Sequence, residues 1–145
     1  MAGTVVADTL QADSTSTLVL KNGVANTPPT IQDSAGTQIG TFCRAFVNFD
    51  GTTNVGGFCT IRASFNVSSV ADNGTGTYTV NLTNAMPDAN YSVVLGLNAA
   101  TDAAFIKLGK SAGIGVPTAS AFQVNTTSFS AVYTDYAGVF AAIFR

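Results

Sequence analysis

The chain has 145 residues, 46% of them hydrophobic and only 10% charged, with a formal net charge of -2. That length suits one compact domain with an added arm, and the charged fraction is well under the quarter or so usual in soluble domains. The six cations, Lys21, Arg44, Arg62, Lys107, Lys110 and Arg145, are scattered, which argues against nucleic acid as a partner, and no apolar run approaches the ~20 residues of a membrane span.

Residues 1–38 differ from the rest of the chain. Short apolar spots (Val5, Val6, Leu10, Leu18, Leu20, Ile31) alternate with turn residues, and Pro28 and Pro29 forbid a continuous helix or strand. The opening "MAGTVVADTL" lacks the basic start and apolar core of a signal peptide, so the expectation is synthesis in a cytoplasm without export on its own. Such a stretch cannot bury enough apolar surface to offset its ordering entropy. It is expected to be an extended arm that lies on a neighbouring copy or a larger particle.

From Ile39 the pattern has period two. In "CRAFVNF", Cys43, Ala45, Val47 and Phe49 share a face; "FCTIRASFNV" sends Cys59, Ile61, Ala63, Phe65 and Val67 one way and Thr60, Arg62, Ser64 and Asn66 the other. "DNGTG" at 72–76 predicts a type I′ turn, "TYTVNLT" resumes alternation, and "YSVVLGLNA" aligns Tyr91, Val93, Leu95 and Leu97. "AAFIKLGK", "SAFQVNTT", "SFSAVYTD" and "GVFAAIFR" complete the strands. Short strands punctuated by Gly, Asn and Asp, with no helical stripe, predict an all-β domain over 39–145. The expected form is an antiparallel, jelly-roll-like β-sandwich.

Little in this inventory supports catalysis. There is no His and no Glu, so acid–base work falls to eight Asp, two Cys, four Tyr and a few Lys. The aspartates sit mostly beside Gly, Asn or Pro, where Asp forms turns. The chain reads as a non-enzyme with no cofactor and no metal site; Asp72-Asn73-Gly74 is compatible with a cation but needs only a turn. Cys43 and Cys59 are expected on different rungs, which favours two free thiols over a disulfide. Arg44 and Arg62 fit either an anionic ligand or, preferably, interchain ion pairs with Asp50 or Asp88. Phe46 and Phe58 lie opposite the main apolar face of their strands, which points to assembly; with Leu18, Leu20 and Ile31 they are the expected trimer contacts. Two loop regions stand out for ligand contact. One is "DGTTNVGG", with Thr52, Thr53 and Asn54; the other lies beyond Asn98 and offers Asp102, Tyr133, Asp135 and Tyr136. Tyrosine suits saccharide faces, while parity also allows Tyr133 a place in the core and Tyr136 a turn-capping role.

The phrases "NFDGT", "SFNVSSVADNGTGTYTVN" and "AMPDANY", with the lead-in "LVLKNGVANTPPTIQDSAGTQIGTFCRA" and the closing "AAIFR", resemble a module of the tail fibres and fibre-like virion proteins of tailed bacteriophages, including cyanophages. The resemblance runs from about Leu18 to Arg145. Phe46 stands where that pattern has Trp, "TTNVGGFCT" is lengthened, and the part after Asn98 matches no shared pattern. The resemblance implies a homotrimeric, β-rich, non-enzymatic virion protein that contacts other virion proteins and a host surface glycan or protein. The expectation is therefore a tail-fibre protein that attaches through its arm and binds the host cell surface through its head. The alternative is a structural virion protein, a capsid decoration or fibre adaptor, without receptor binding.

Overall fold

A computed structural model describes residues 31–99, 103–109 and 117–145. The described residues form ten strands: β1 (Ile31–Gln32), β2 (Gln38–Gly40), β3 (Cys43–Val55), β4 (Phe58–Phe65), β5 (Val67–Asp72), β6 (Thr77–Leu82), β7 (Ser92–Asn98), β8 (Ala104–Leu108), β9 (Ala121–Ser128) and β10 (Gly138–Phe144). Among the described residues there is no helix, and so none long and apolar enough to cross a membrane.

The expected all-β, antiparallel architecture is present, but its closure differs from the expectation. Strands β3 to β10 form one continuous sheet in the order β7-β10-β3-β4-β5-β6-β9-β8, with every pairing antiparallel. Its edges β7 and β8 come close together, so the sheet is a nearly closed barrel instead of two separate hydrogen-bonded sheets. Strand alternation carries no information about closure, since an inward face is apolar in both arrangements. The β4–β5 junction is thin, with Phe58 opposite Ala71 as its one ladder pair. A small cavity lined by Phe58, Cys59, Ile61, Ser68, Ser69 and Val70 lies beside it.

Inward residues of β3, β6, β9 and β10 fill the barrel: Ala45, Val47, Phe49, Tyr78, Val80, Phe122, Val124, Val139 and Ile143 are buried. Phe49 meets Tyr78 edge-on at 5.2 Å and Tyr91 meets Phe122 at 6.4 Å, the T-shaped geometry that aromatic quadrupoles favour. The predicted parity of β3 and β7 is observed. That of β4 is not: Ala63 and Phe65 are exposed. The register Asn48↔Ala63 gives way to Phe49↔Ile61, so Arg62 is an extra residue in β4. A bulge of this kind inverts the facing of everything beyond it.

Three further differences come from turn chemistry. The loop 73–76 is four residues long, closed by Asn73 N–H to Thr77 O at 2.9 Å, with Gly74 and Gly76 at positive φ; it is not a two-residue type I′ turn. The stretch "SFSAVYTD" is mostly loop, because the chain reverses after β9 through Ser128 N–H to Val132 O at 2.8 Å, with Ala131 at φ 59°. The last part of the predicted arm forms a separate hairpin, β1–β2, whose turn is capped by Asp33 Oδ1 accepting from the amides of Ala35 and Thr37. Ile31 is 43% exposed there. Leu18 and Leu20 lie outside the described residues.

Candidate functional site

The tip of the β3–β4 hairpin and the β9–β10 loop meet at one end of the barrel, joined by Gly51 N–H to Tyr136 O at 3.0 Å. Four of the seven predicted ligand contacts around them are bound within the chain. The Thr52 amide and hydroxyl donate to Asp50 Oδ1 at 3.0 and 2.6 Å. The Thr53 hydroxyl donates to Asp50 O and accepts from Thr60 N–H. Asn54 donates to Asp72 Oδ2 at 2.7 Å and accepts from Gly57 N–H. Asp135 Oδ1 accepts from Gly76 N–H at 2.6 Å and from the Tyr78 hydroxyl at 2.8 Å, so it anchors the loop to the core.

Tyr136 is half-buried against the core. Tyr133 points elsewhere: it is 46% exposed, with Lys107 Nζ 5.9 Å from its ring centroid, and the core placement that parity allowed it is not adopted. Asp102 lies outside the described residues.

Among the described residues, two ionic pairs lie within the chain. Arg62 Nη2 reaches Asp50 Oδ2 at 2.5 Å, and its Nη1 donates to the carbonyls of Phe49 and Ala137. The bulge makes this possible by turning Arg62 toward the barrel end. The Thr52 hydroxyl, then its amide and Arg62, hold the Asp50 carboxyl below its usual value against the opposing effect of burial. Asp88 pairs with Arg145. Burial pushes the Cys59 thiol up to about 12, helped by Asp72, Asp135 and Asp50; both cysteines are free. Among the described residues no group of three His, Cys, Asp or Glu side chains gathers around a metal position.

The outside of β7, β10, β3 and β4 is different in character. Register places Val94, Ala142, Phe46 and Phe65 side by side across the four strands. Val94 is 60%, Phe46 42% and Phe65 55% exposed, and the two Phe rings lie 6.4 Å apart. Phe58 is exposed too, but seven residues from Phe65 along β4, about 23 Å at strand rise, so it does not join this row.

One rung toward the loop end, Phe140 lies opposite Asn48 on β3 and Gly96 on β7. Beyond it a shallow cleft is lined by Asn48, Arg62, Asn98, Ala137, Gly138 and Phe140. Phe65 and Phe140 were missed as surface residues: the bulge hid the first, and the alternation Val139-Phe140-Ala141 carried the second without distinction.

No protein-family model matches the chain, and no curated protein or solved structure is significantly similar to it.

Proposed function

We propose that the chain is a non-enzymatic tail-fibre protein of a tailed bacteriophage. In this reading it is a homotrimer that attaches to other virion proteins through its N-terminal arm and binds the host cell surface through its β-head, a flattened, sandwich-like barrel. The observation that carries the proposal is the outward row Val94–Ala142–Phe46–Phe65. An apolar strip four strands wide, with two large rings in contact, is costly to leave in water and marks an interaction face. Closed threefold assembly removes it from solvent without leaving an open end for growth. Taken with the fibre-like phrases of the sequence, this favours a fibre component over an isolated soluble domain.

The loop end supports a second reading, a capsid decoration protein or fibre adaptor without receptor affinity. Its polar side chains are largely engaged with one another, as with Asp50, Asn54 and Asp135, which leaves less to offer a receptor.

Sedimentation of the purified protein tests the assembly. A trimer is expected at micromolar concentration, converted to folded monomer by Phe46→Ser with Phe65→Ser; a wild-type monomer would overturn the trimeric reading. Immunogold labelling of particles grown from a genome encoding the chain tests the location. Gold on the tail supports the fibre, gold on the capsid alone supports the second reading, and unlabelled particles remove both.

A further inference from the structure

We infer that the cleft beside Phe140 is a binding subsite for a neutral pyranose, an inference that deepens the proposed host-surface role and draws its biological meaning from it. The starting point is how the ring is laid down. Phe140 leans back along β10 over two glycines. A Cβ on Gly96 would lie 3.6 Å from Phe140 Cβ and Cδ2, and one on Gly138 would lie 3.5 Å from its Cζ. A Cβ at either position would fill the space beneath the ring in ordinary van der Waals contact, and at Gly138 it would also stand 2.7 Å from Asn98 Cβ. With neither present, the ring packs against bare backbone and remains 38% exposed, a use of aromatic cover over strand glycines. The result is a fixed apolar plate at the wall of a cleft.

The rim supplies hydrogen-bonding groups of a particular kind. Asn48 and Asn98 bring carboxamides from the strands on either side of β10, and each carboxamide can donate and accept. Asn48 Oδ1 is buried without a hydrogen-bond partner, a state that native structures seldom leave unexplained. Its terminal torsion is broad, so the carboxamide can turn to meet a hydroxyl in the cleft. The one charge at the rim, Arg62, is already paired with Asp50 and bonded to two carbonyls. The cleft therefore has little net charge to recruit a phosphate or carboxylate. A flat apolar wall with uncharged donor–acceptor groups beside it fits a ligand that has C–H groups on one face and hydroxyls at its edge. A pyranose ring has that division, and aromatic faces receive it without competing for its hydroxyls.

The test uses the full chain, labelled with 15N and titrated with methyl α-D-mannopyranoside, methyl β-D-glucopyranoside and methyl β-D-galactopyranoside to about 100 mM, a range that detects millimolar affinity. Saturable shifts of the Asn48 and Asn98 side-chain amides are expected with at least one sugar. Phe140→Leu, which keeps apolar bulk over the glycines but removes the flat face, should weaken binding at least tenfold, and Phe140→Tyr should retain it. Asn98→Ala, at an exposed position, should weaken binding severalfold and serves as the decisive variant if Phe140→Leu does not fold. The inference is overturned if no sugar gives saturable shifts, if the decisive variant binds like wild type, if shifts centre on Tyr133, or if only an oligoproline peptide binds. Adsorption of fluorescent protein to permissive bacteria separates the two levels. Adsorption without sugar binding removes the subsite and leaves the host-surface role; sugar binding without adsorption keeps the subsite and removes that role.

Discussion

Tyr78 shows how one side chain can belong to the core and to a loop at once. Its ring is fully buried against Phe49, while its hydroxyl meets Asp135 at 2.8 Å with Gly51 O at 3.2 Å. Tyr78→Phe removes a hydrogen bond to a buried-side carboxylate and should cost about 1–3 kcal/mol, read as a lower urea midpoint with unchanged slope. The alternation of "TYTVNLT" puts Tyr78 on the same face as the buried Val80 and Leu82, yet loop composition assigned Asp135 to a ligand. Nothing in "YTDYAG" distinguishes a carboxylate aimed at solvent from one aimed at a phenol 57 positions earlier in the chain. Cys59 makes the complementary case, since inward parity alone foretold a buried thiol. With its pKa raised to about 12, only about one molecule in ten thousand carries the reactive thiolate at pH 8. Iodoacetamide should therefore leave Cys59 unmodified in the native protein and alkylate it in denaturant, as measured by peptide mass.

Among the strands, the outcome turned on irregularities. β3 kept its alternation from Cys43 to Phe49 and was legible. β4 was legible only as far as Ile61, because one inserted residue at Arg62 reversed Ala63 and Phe65, and period-two reading has no place for an insertion. The same residue is useful once inserted, since Arg62 ties the bulge to Asp50, Phe49 and Ala137. Arg62→Ala should lower stability by about 1 kcal/mol, a discounted figure because the pair is partly exposed, with the loss shrinking in high salt. The turn after β5 is stricter. Gly76 has φ +62°, and a Cβ there would stand 2.4 Å from Thr126 O. Gly76→Ala should cost about 3 kcal/mol or more, measured by thermal melting.

For the molecule as a whole, three buried groups make stability sensitive to high pH. Cys59 and Tyr91 are each pushed to about 12 by burial, and burial also raises Tyr78. Their unfolded values are near 9 and 10, so the stability they contribute is present in full below pH 9. It is lost as pH rises from there, because the unfolded chain releases these protons first. Denaturation at pH 10.5 should show about 2–3 kcal/mol less stability than at pH 7.5. At the acid end the lowered Asp50 acts in the opposite sense, with its contribution lost only as pH falls below its ordinary value of 3.8. Class and strand directions were readable from alternation; barrel closure was not, because it depends on which edges meet.

That closure has a weak line. Two half-sheets, β7-β10-β3-β4 and β5-β6-β9-β8, share a single rung at Phe58 and Ala71, with the neighbouring cavity taking the place of further rungs. Deuterium should enter the facing amides of β4 and β5 well before those between β6 and β9. Pulled through handles on β3 and β6, which lie on opposite sides of it, the barrel should first part along this seam, opening like a book and not fraying strand by strand. Load applied across the two halves would then be taken up by the hinge between them, which closes again when released.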